Sequence, residues 1–242
     1  MLAKDKDVDG RDIRAFTPVF DGLCPAMTPE QIRTETRPMI EFFFDCSSPW
    51  TYLAFHNIQP IAKQLNVPIT WRPVLVGGIF NAVNQSVYNN RNAPVPAKQA
   101  YSKKDMQDWA RSAGIRIKHP PTVFPVNAVK SMRGCIFLDR EGKLLPFATA
   151  CFEAYWGDDK DISKDEVLTE ICQKIGVDPQ TFLAGITEQS VKDQLKTNTD
   201  EVIARGGYGS PTMFVDKTDM YFGNDRLPLL KEAVERKLGL RS

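Results

Sequence analysis

The chain has 242 residues, of which 42% are hydrophobic and 25% charged, enough to bury a full core in one domain with an insertion or in two domains. Lys+Arg 31 against Asp+Glu 30 nearly cancel, and with no basic stripe in the sequence nucleic acid is a poor candidate partner and none is expected. No apolar run approaches the ~18 residues of a membrane span, and the N-terminus MLAKDKDVDGRD lacks the apolar stretch of a signal peptide, so the expected setting is cytoplasmic.

Residues 1–38 read as an N-terminal extension: polar, broken by Gly10, Gly22 and Pro25, and without a sustained period. Asp5-Lys6-Asp7-Val8-Asp9-Gly10 starts like a calcium loop, but its twelfth position is Phe16, where a bidentate Glu is needed. A solvated acidic turn is the better reading. Thr28-Pro29 offers the cap and first residue of one short helix. The core pattern begins at Met39. Met39-Ile40-Glu41-Phe42-Phe43-Phe44-Asp45 is almost continuously apolar, as in a strand buried on both faces. Ser48-Pro49 supplies an N-cap and a first-turn proline. The helix that follows places Leu53, Ala54, Ile58, Ile61, Ala62 and Leu65 on one stripe, with a kink expected at Pro60. Ile69 to Leu75 is a second strand, so this stretch is a βαβ unit with parallel pairing.

Residues 77–101, rich in Asn, Gly and Pro, read as a long loop. Ser102 is then expected to cap a helix that ends at Gly114, and Asn127 another carrying Val129, Met132, Ile136 and Phe137. Further helices start at Pro146, at a capping box of Ser163 and Glu166, and at Asp178-Pro179. A longer one carries Val191, Leu195, Val202 and Ile203 and closes at Gly206-Gly207. Pro211 to Val215 and Met220 to Phe222 form a hairpin, and Asn224 or Asp225 caps a last helix. The order is βαβ, helical block, ββα.

That order, with the residues at its junctions, resembles a thioredoxin fold with a helical insertion, as in DsbA-like proteins, an α/β class. The expected division is a thioredoxin-like domain of residues 39–78 and 205–242 around a helical insertion of 79–204. Phe43-Phe44-Asp45-Cys46-Ser47-Ser48-Pro49-Trp50-Thr51-Tyr52-Leu53-Ala54 resembles the first strand and helix start of the kappa-class glutathione transferases, and more closely that of their relatives, the 2-hydroxychromene-2-carboxylate isomerases. Gly209-Ser210-Pro211-Thr212-Met213-Phe214 and Phe222-Gly223-Asn224-Asp225-Arg226-Leu227 match the other two landmarks, and the likeness covers residues 39–240.

The chemistry can be read beside the name. Where a redox thioredoxin carries CxxC, this chain has Ser48-Pro49-Trp50-Thr51, and two hydroxyls cannot form a disulfide. What remains is a helix N-terminus, with free N–H groups and partial positive charge, suited to a bound thiolate. Lowering a thiol by ~2 pKa units takes about 2.7 kcal/mol, which a helix end and one charge-assisted hydrogen bond from Ser48 match in size. An ordinary N-cap is the plain alternative for Ser48, and Ser47 is the neighbouring one. The five cysteines show no CxxC spacing, and Cys46, at the strand end, reads as a packed thiol. Two histidines without HExxH or a Cys/His cluster argue against a metal site.

The resemblance implies glutathione as cosubstrate. It implies a cis Pro211 preceded by Ser210, whose backbone pairs with the peptide. It also implies Asn224 and Asp225 on the γ-glutamyl end, with Asn84 (or Gln85) and Lys98 as further contacts. The plain alternatives are a strand start, a helix cap and solvated side chains. Trp50, Phe80, Trp109 and Tyr155 are candidates for an aromatic pocket or for core. The implied activity is cis–trans isomerisation of a small, ring-opened aromatic pyruvate by reversible thiolate addition, in a homodimer. A kappa-class transferase or peroxidase and a non-catalytic thioredoxin-like binding module are the rivals.

Overall fold

The computed structural model describes residues 38–241. The acidic turn at Asp5 and the short helix at Thr28 fall outside them.

Strand β1 (Ile40–Phe44) is buried at every position. Helix α1 (Pro49–Leu65) follows and runs through Pro60, and strand β2 (Ile69–Pro73) pairs parallel to β1 with Ile40 opposite Ile69. After the helical block, strands β3 (Thr212–Val215) and β4 (Asp219–Phe222) form the expected hairpin. β3 lies antiparallel to β1, with Ile40 opposite Val215, and the sheet order is β2-β1-β3-β4. An apolar β1 is thereby enclosed by neighbours on both edges and by packed layers on both faces. The pleat sends Phe42 and Phe44 to one side, where they meet Phe55 of α1 and Trp71 of β2, and Phe43 to the other, against Phe214. All three phenylalanines are wholly buried, each stabilising the fold by about 1.5–3 kcal/mol.

The stretch 77–101 is helical, which corrects the long-loop expectation. Helices α2 (Val76–Val83), α3 (Ser86–Asn92) and α4 (Pro96–Ala113) occupy it. Val76, Ile79, Phe80 and Val83 recur at helical spacing, a signal hidden by the local Asn and Gly content. Pro96 takes the first-turn place in α4, so Ser102 lies inside that helix instead of capping it, while Gly114 ends it in the left-handed conformation as expected. A domain boundary at 78 falls within α2.

Helices α5 (Val129–Asp139), α6 (Leu144–Phe152), α7 (Asp165–Lys174), α8 (Pro179–Gly185) and α9 (Gln189–Ala204) complete the block, with a π-helical turn at Glu153–Gly157 after α6. Asp178 caps α8 through Thr181 N–H. The capping box at Ser163 and Glu166 does not form, because the Ser163 hydroxyl donates to Asp161 in its own turn at 2.6 Å. The last helix, α10 (Leu227–Lys237), is preceded by a 3-10 turn at Asn224–Arg226, and neither Asn224 nor Asp225 caps it. That corrects the cap expectation.

Candidate active site at the start of helix α1

Three chain segments remote in sequence meet at the end of β1. Ser48 is the N-cap of α1. Its oxygen accepts from Thr51 N–H at 3.2 Å, and its hydroxyl donates to the Ser210 carbonyl at 3.1 Å. The Ser210–Pro211 peptide is cis. The Pro211 carbonyl in turn accepts from Gly223 N–H at 3.2 Å, which sets the Asn224-Asp225 turn beside it. Gly223 is held at a φ of 97°, a value that L side chains rarely adopt.

Ser210 is fixed from the inside. Its hydroxyl accepts from Asp45 N–H at 3.0 Å and shares a 2.8 Å hydrogen bond with the Thr51 hydroxyl. The first turn of α1 is therefore tied to the cis-proline segment through residues 48 and 51, the two places that cysteines would hold in a redox thioredoxin. Pro49 has no N–H, Thr51 N–H goes to Ser48 and Tyr52 N–H to the Ser48 carbonyl, leaving the Trp50 N–H outside these bonds. Ser47 is committed elsewhere: its hydroxyl and its N–H both donate to Asp45, each at 2.8 Å.

The carboxylate that holds Ser47 also accepts from Val76 N–H at 2.8 Å, joining the end of β1 to the start of α2. Burial pushes the Asp45 carboxyl above its ordinary 3.8, against the pull of the Val76 and Ser47 donors. Folding thus favours the protonated form. Its contribution to stability is largest below about pH 4 and declines as pH rises from there through the raised value. In Asp45→Asn, urea unfolding followed across pH should lack this decline. The variant should also be less stable by about 1–3 kcal/mol, because an amide oxygen cannot serve all three donors.

The Cys46 thiol is packed, as expected. It is fully buried, and burial, reinforced by Cys135 and Cys151 beside it, holds its pKa well above the ordinary 9.0. A thiol so placed is inert.

Asn224 is 3% exposed, and its side-chain oxygen accepts from Asn57 of α1 at 3.0 Å. Its amide nitrogen is buried without a partner. Asp225 is half exposed and, among the described residues, pairs only with the adjacent Arg226, at 3.2 Å. Asn84 closes α2 and donates to the Tyr208 carbonyl at 3.0 Å, which joins it to the segment leading into Ser210. Gln85 instead folds back to the Asn81 carbonyl. Lys98 stands exposed in the first turn of α4 and makes no hydrogen bond or ion pair among the described residues.

Of the aromatic candidates, Tyr155 is core, and Trp109 packs against the core. Phe80 lies at the site: a methyl group on Gly209 would sit 3.6 Å from its ring and 2.9 Å from that of Phe222. From Phe80 a chain of contacts leads away and returns. Arg91 stands 5.8 Å from the Phe80 ring and 5.5 Å from that of Phe124, Phe124 packs edge-on to Trp156, and the Trp156 indole donates to the Cys46 carbonyl at 2.9 Å. Sequence reasoning missed Arg91, Phe124, Trp156, Tyr208 and Phe222. Tyr208 directly precedes one recognised landmark and Phe222 begins another, a signal that was present. The others come from helices and loops with no local pattern.

Among the described residues, no group of His, Cys, Asp and Glu is placed to hold a metal ion, and no helix is long and apolar enough to cross a membrane.

The chain is 28% identical over 201 residues to a 2-hydroxychromene-2-carboxylate isomerase of Pseudomonas putida, covering 82% of this chain and 95% of that one. It is 26% identical over 213 residues to glutathione S-transferase kappa 1 of Homo sapiens, covering 82% and 91%. A solved structure of 2-hydroxychromene-2-carboxylate isomerase superposes with a TM-score of 0.70 at 24% identity, over 84% of this chain and all (100%) of that one. A probable DsbA oxidoreductase from Streptomyces coelicolor superposes with a TM-score of 0.66 at 15% identity, over 85% and 92%. Both superpositions establish the fold. The DSBA-like thioredoxin domain family matches from residue 39 to residue 235, in keeping with the βαβ–helical block–ββα order and the cis proline facing the start of α1, and the chain belongs to that family.

Proposed function

We propose that this protein is a glutathione-dependent cis–trans isomerase acting on a small conjugated aromatic pyruvate, a reading supported by its similarity to proteins named 2-hydroxychromene-2-carboxylate isomerase. The observation that carries the reading is the Ser48 hydroxyl at the start of α1, 3.1 Å from the carbonyl preceding cis Pro211, with a threonine and no thiol at position 51.

The residues present fit glutathione. The buried Asn224 amide lacks an acceptor while Asn57 holds its oxygen, so Asn224 is oriented to donate to a carboxylate such as that of the γ-glutamyl group. Asp225 is half exposed beside it for the ammonium, and Ser210 offers backbone to the peptide. Asn84 and Lys98 are the further contacts in this reading. When bound, glutathione supplies a thiolate that adds to the substrate's conjugated double bond, lets the resulting single bond rotate, and leaves again.

Ser48 holds the sulfur end. In the structure its proton goes to the Ser210 carbonyl. A thiolate in reach would draw the same proton more strongly, since a charged acceptor makes roughly twice as strong a hydrogen bond. The Trp50 N–H and the positive end of α1 favour the same charge. Phe80 and Phe124 offer ring faces and edges to a planar substrate, with the buried Trp156 packed behind Phe124. Arg91 between two of these rings offers a cation to the substrate's carboxylate, which favours the isomerase over conjugation of a neutral electrophile. The reading includes a homodimer in a reducing, cytoplasmic setting, in keeping with the four free thiols buried among the described residues.

The test is a balance of glutathione. With a ring-opened aromatic pyruvate, catalytic glutathione should drive cis–trans interconversion and the free thiol should be recovered in full. Stoichiometric loss of thiol to a conjugate, without interconversion, would assign the transferase activity instead.

A further inference from the structure

A cavity lies on the far side of α2 from the candidate active site. Phe80 faces the cis-proline segment. Gly78 and Ala82, which line this cavity, are each two residues from Phe80 and so about 200° round the helix. The opposite wall is α9, and α5 contributes Arg133. The volume is about 360 Å³, within the range of small-molecule sites.

Its chemistry is two-sided. Leu75, Leu195 and Ile203 give an apolar lining, and Arg133, Lys192 and Lys196 bring positive charge. The single acid there, Asp200, is paired with Lys196. Lys192 makes no ion pair among the described residues. Arg133 is the more telling group: its Nε is buried without a hydrogen-bond partner, and its guanidinium makes no hydrogen bond or ion pair with any described residue. Arg133 is half-buried, and a guanidinium without an acid partner at a cavity wall matches a carboxylate with two parallel hydrogen bonds.

We infer that this cavity binds a small monocarboxylate with an apolar body, its carboxylate on Arg133 and Lys192 and its body against Leu75, Leu195 and Ile203. The site uses none of the residues assigned to glutathione, and α2 is the wall the two sites share.

Calorimetric titration of the full chain, saturated with glutathione, tests this with 2-naphthoate and octanoate as probes and neutral 2-naphthamide as control. One equivalent of at least one carboxylate should bind, with the amide at least tenfold weaker. The better of the two probes identifies the body as aryl or alkyl. Arg133→Gln should weaken binding at least tenfold. Lys192→Gln, at a half-buried position on α9 that should tolerate the change, should weaken it severalfold, and Ser48→Ala should leave it unchanged. Equal binding of the amide, or wild-type affinity in both charge variants, would overturn the inference. So would loss of the binding in Ser48→Ala, which would place the probe in the active site. Because the readout is binding and not turnover, failure here leaves the isomerase reading untouched.

Discussion

Replacing Ser48 by alanine is expected to lower turnover roughly ten- to a hundredfold while glutathione still binds. In the proposed mechanism the lost interaction is one hydrogen bond to a charged sulfur, about 1.5–3 kcal/mol. It is stronger in the thiolate than in the thiol, so the pKa of bound glutathione should rise in step, and absorbance near 240 nm should show less thiolate. The variant should also lose about 1 kcal/mol of stability, because Ser48 caps α1 through Thr51 N–H. Asp225→Ala is the contrasting case, weakening glutathione binding with little effect on the thiol. Ser47→Ala separates the two serines. Its hydroxyl bonds Asp45, so stability should change and the thiolate signal should not. A Ser48→Ala enzyme of wild-type rate and absorbance, beside a Ser47→Ala enzyme that has lost both, would move the assignment by one residue.

The second large effect is a gain. Changing Ser48 and Thr51 together to cysteine should install a dithiol that closes to a disulfide and reduces insulin in the presence of a thiol source. The two side chains share the first turn of α1, with the Ser48 oxygen 3.2 Å from Thr51 N–H, and residues three apart on one turn are neighbours that a disulfide can span. Thr51 is fully buried and faces Ser210, so the second sulfur would sit behind the first, beneath the cis-proline segment. Ser48→Cys alone has no resolving partner. It should be trapped as a mixed disulfide with glutathione, its thiol activated by the helix end, and lose isomerase activity. Mass spectrometry after mild oxidation decides the matter: a folded double variant that retains two free thiols at 48 and 51 would refute the serine-for-cysteine argument.

Both experiments rest on a junction that was legible in the chain. An apolar run ending at Asp45, then Ser48-Pro49, specifies strand, cap and helix start by local rules alone, and the hairpin around Asp216 is as plain. Where local signals compete, reading fails. The Asn and Gly of residues 77–101 masked a helical period carried by Val76, Ile79, Phe80 and Val83. Ser163 had Asp161 nearer than the helix it was expected to cap. The site divides in the same way. Ser48, Ser210-Pro211 and Asn224-Asp225 sit in motifs, whereas Arg91, Phe124 and Asn57 act only through what the fold sets beside them. Asn57 is the clearest case, an unremarked polar residue within α1 that turns out to hold Asn224 in place.

The position of β1 in the sheet also bears on how the chain is made. Its parallel neighbour β2 follows almost at once, but its antiparallel neighbour β3 arrives only after the whole helical block. Ser48 and Ser210, which meet at 3.1 Å, are 162 positions apart, and at roughly 5–20 residues per second that separation is about 8–30 s of translation. Throughout that interval the most apolar strand of the protein has one open edge, the kind that recruits foreign strands. A ribosome stalled between residues 205 and 211 would therefore have made every helix but α10, with the first strand still unpaired on one side, the state in which a chaperone is most needed.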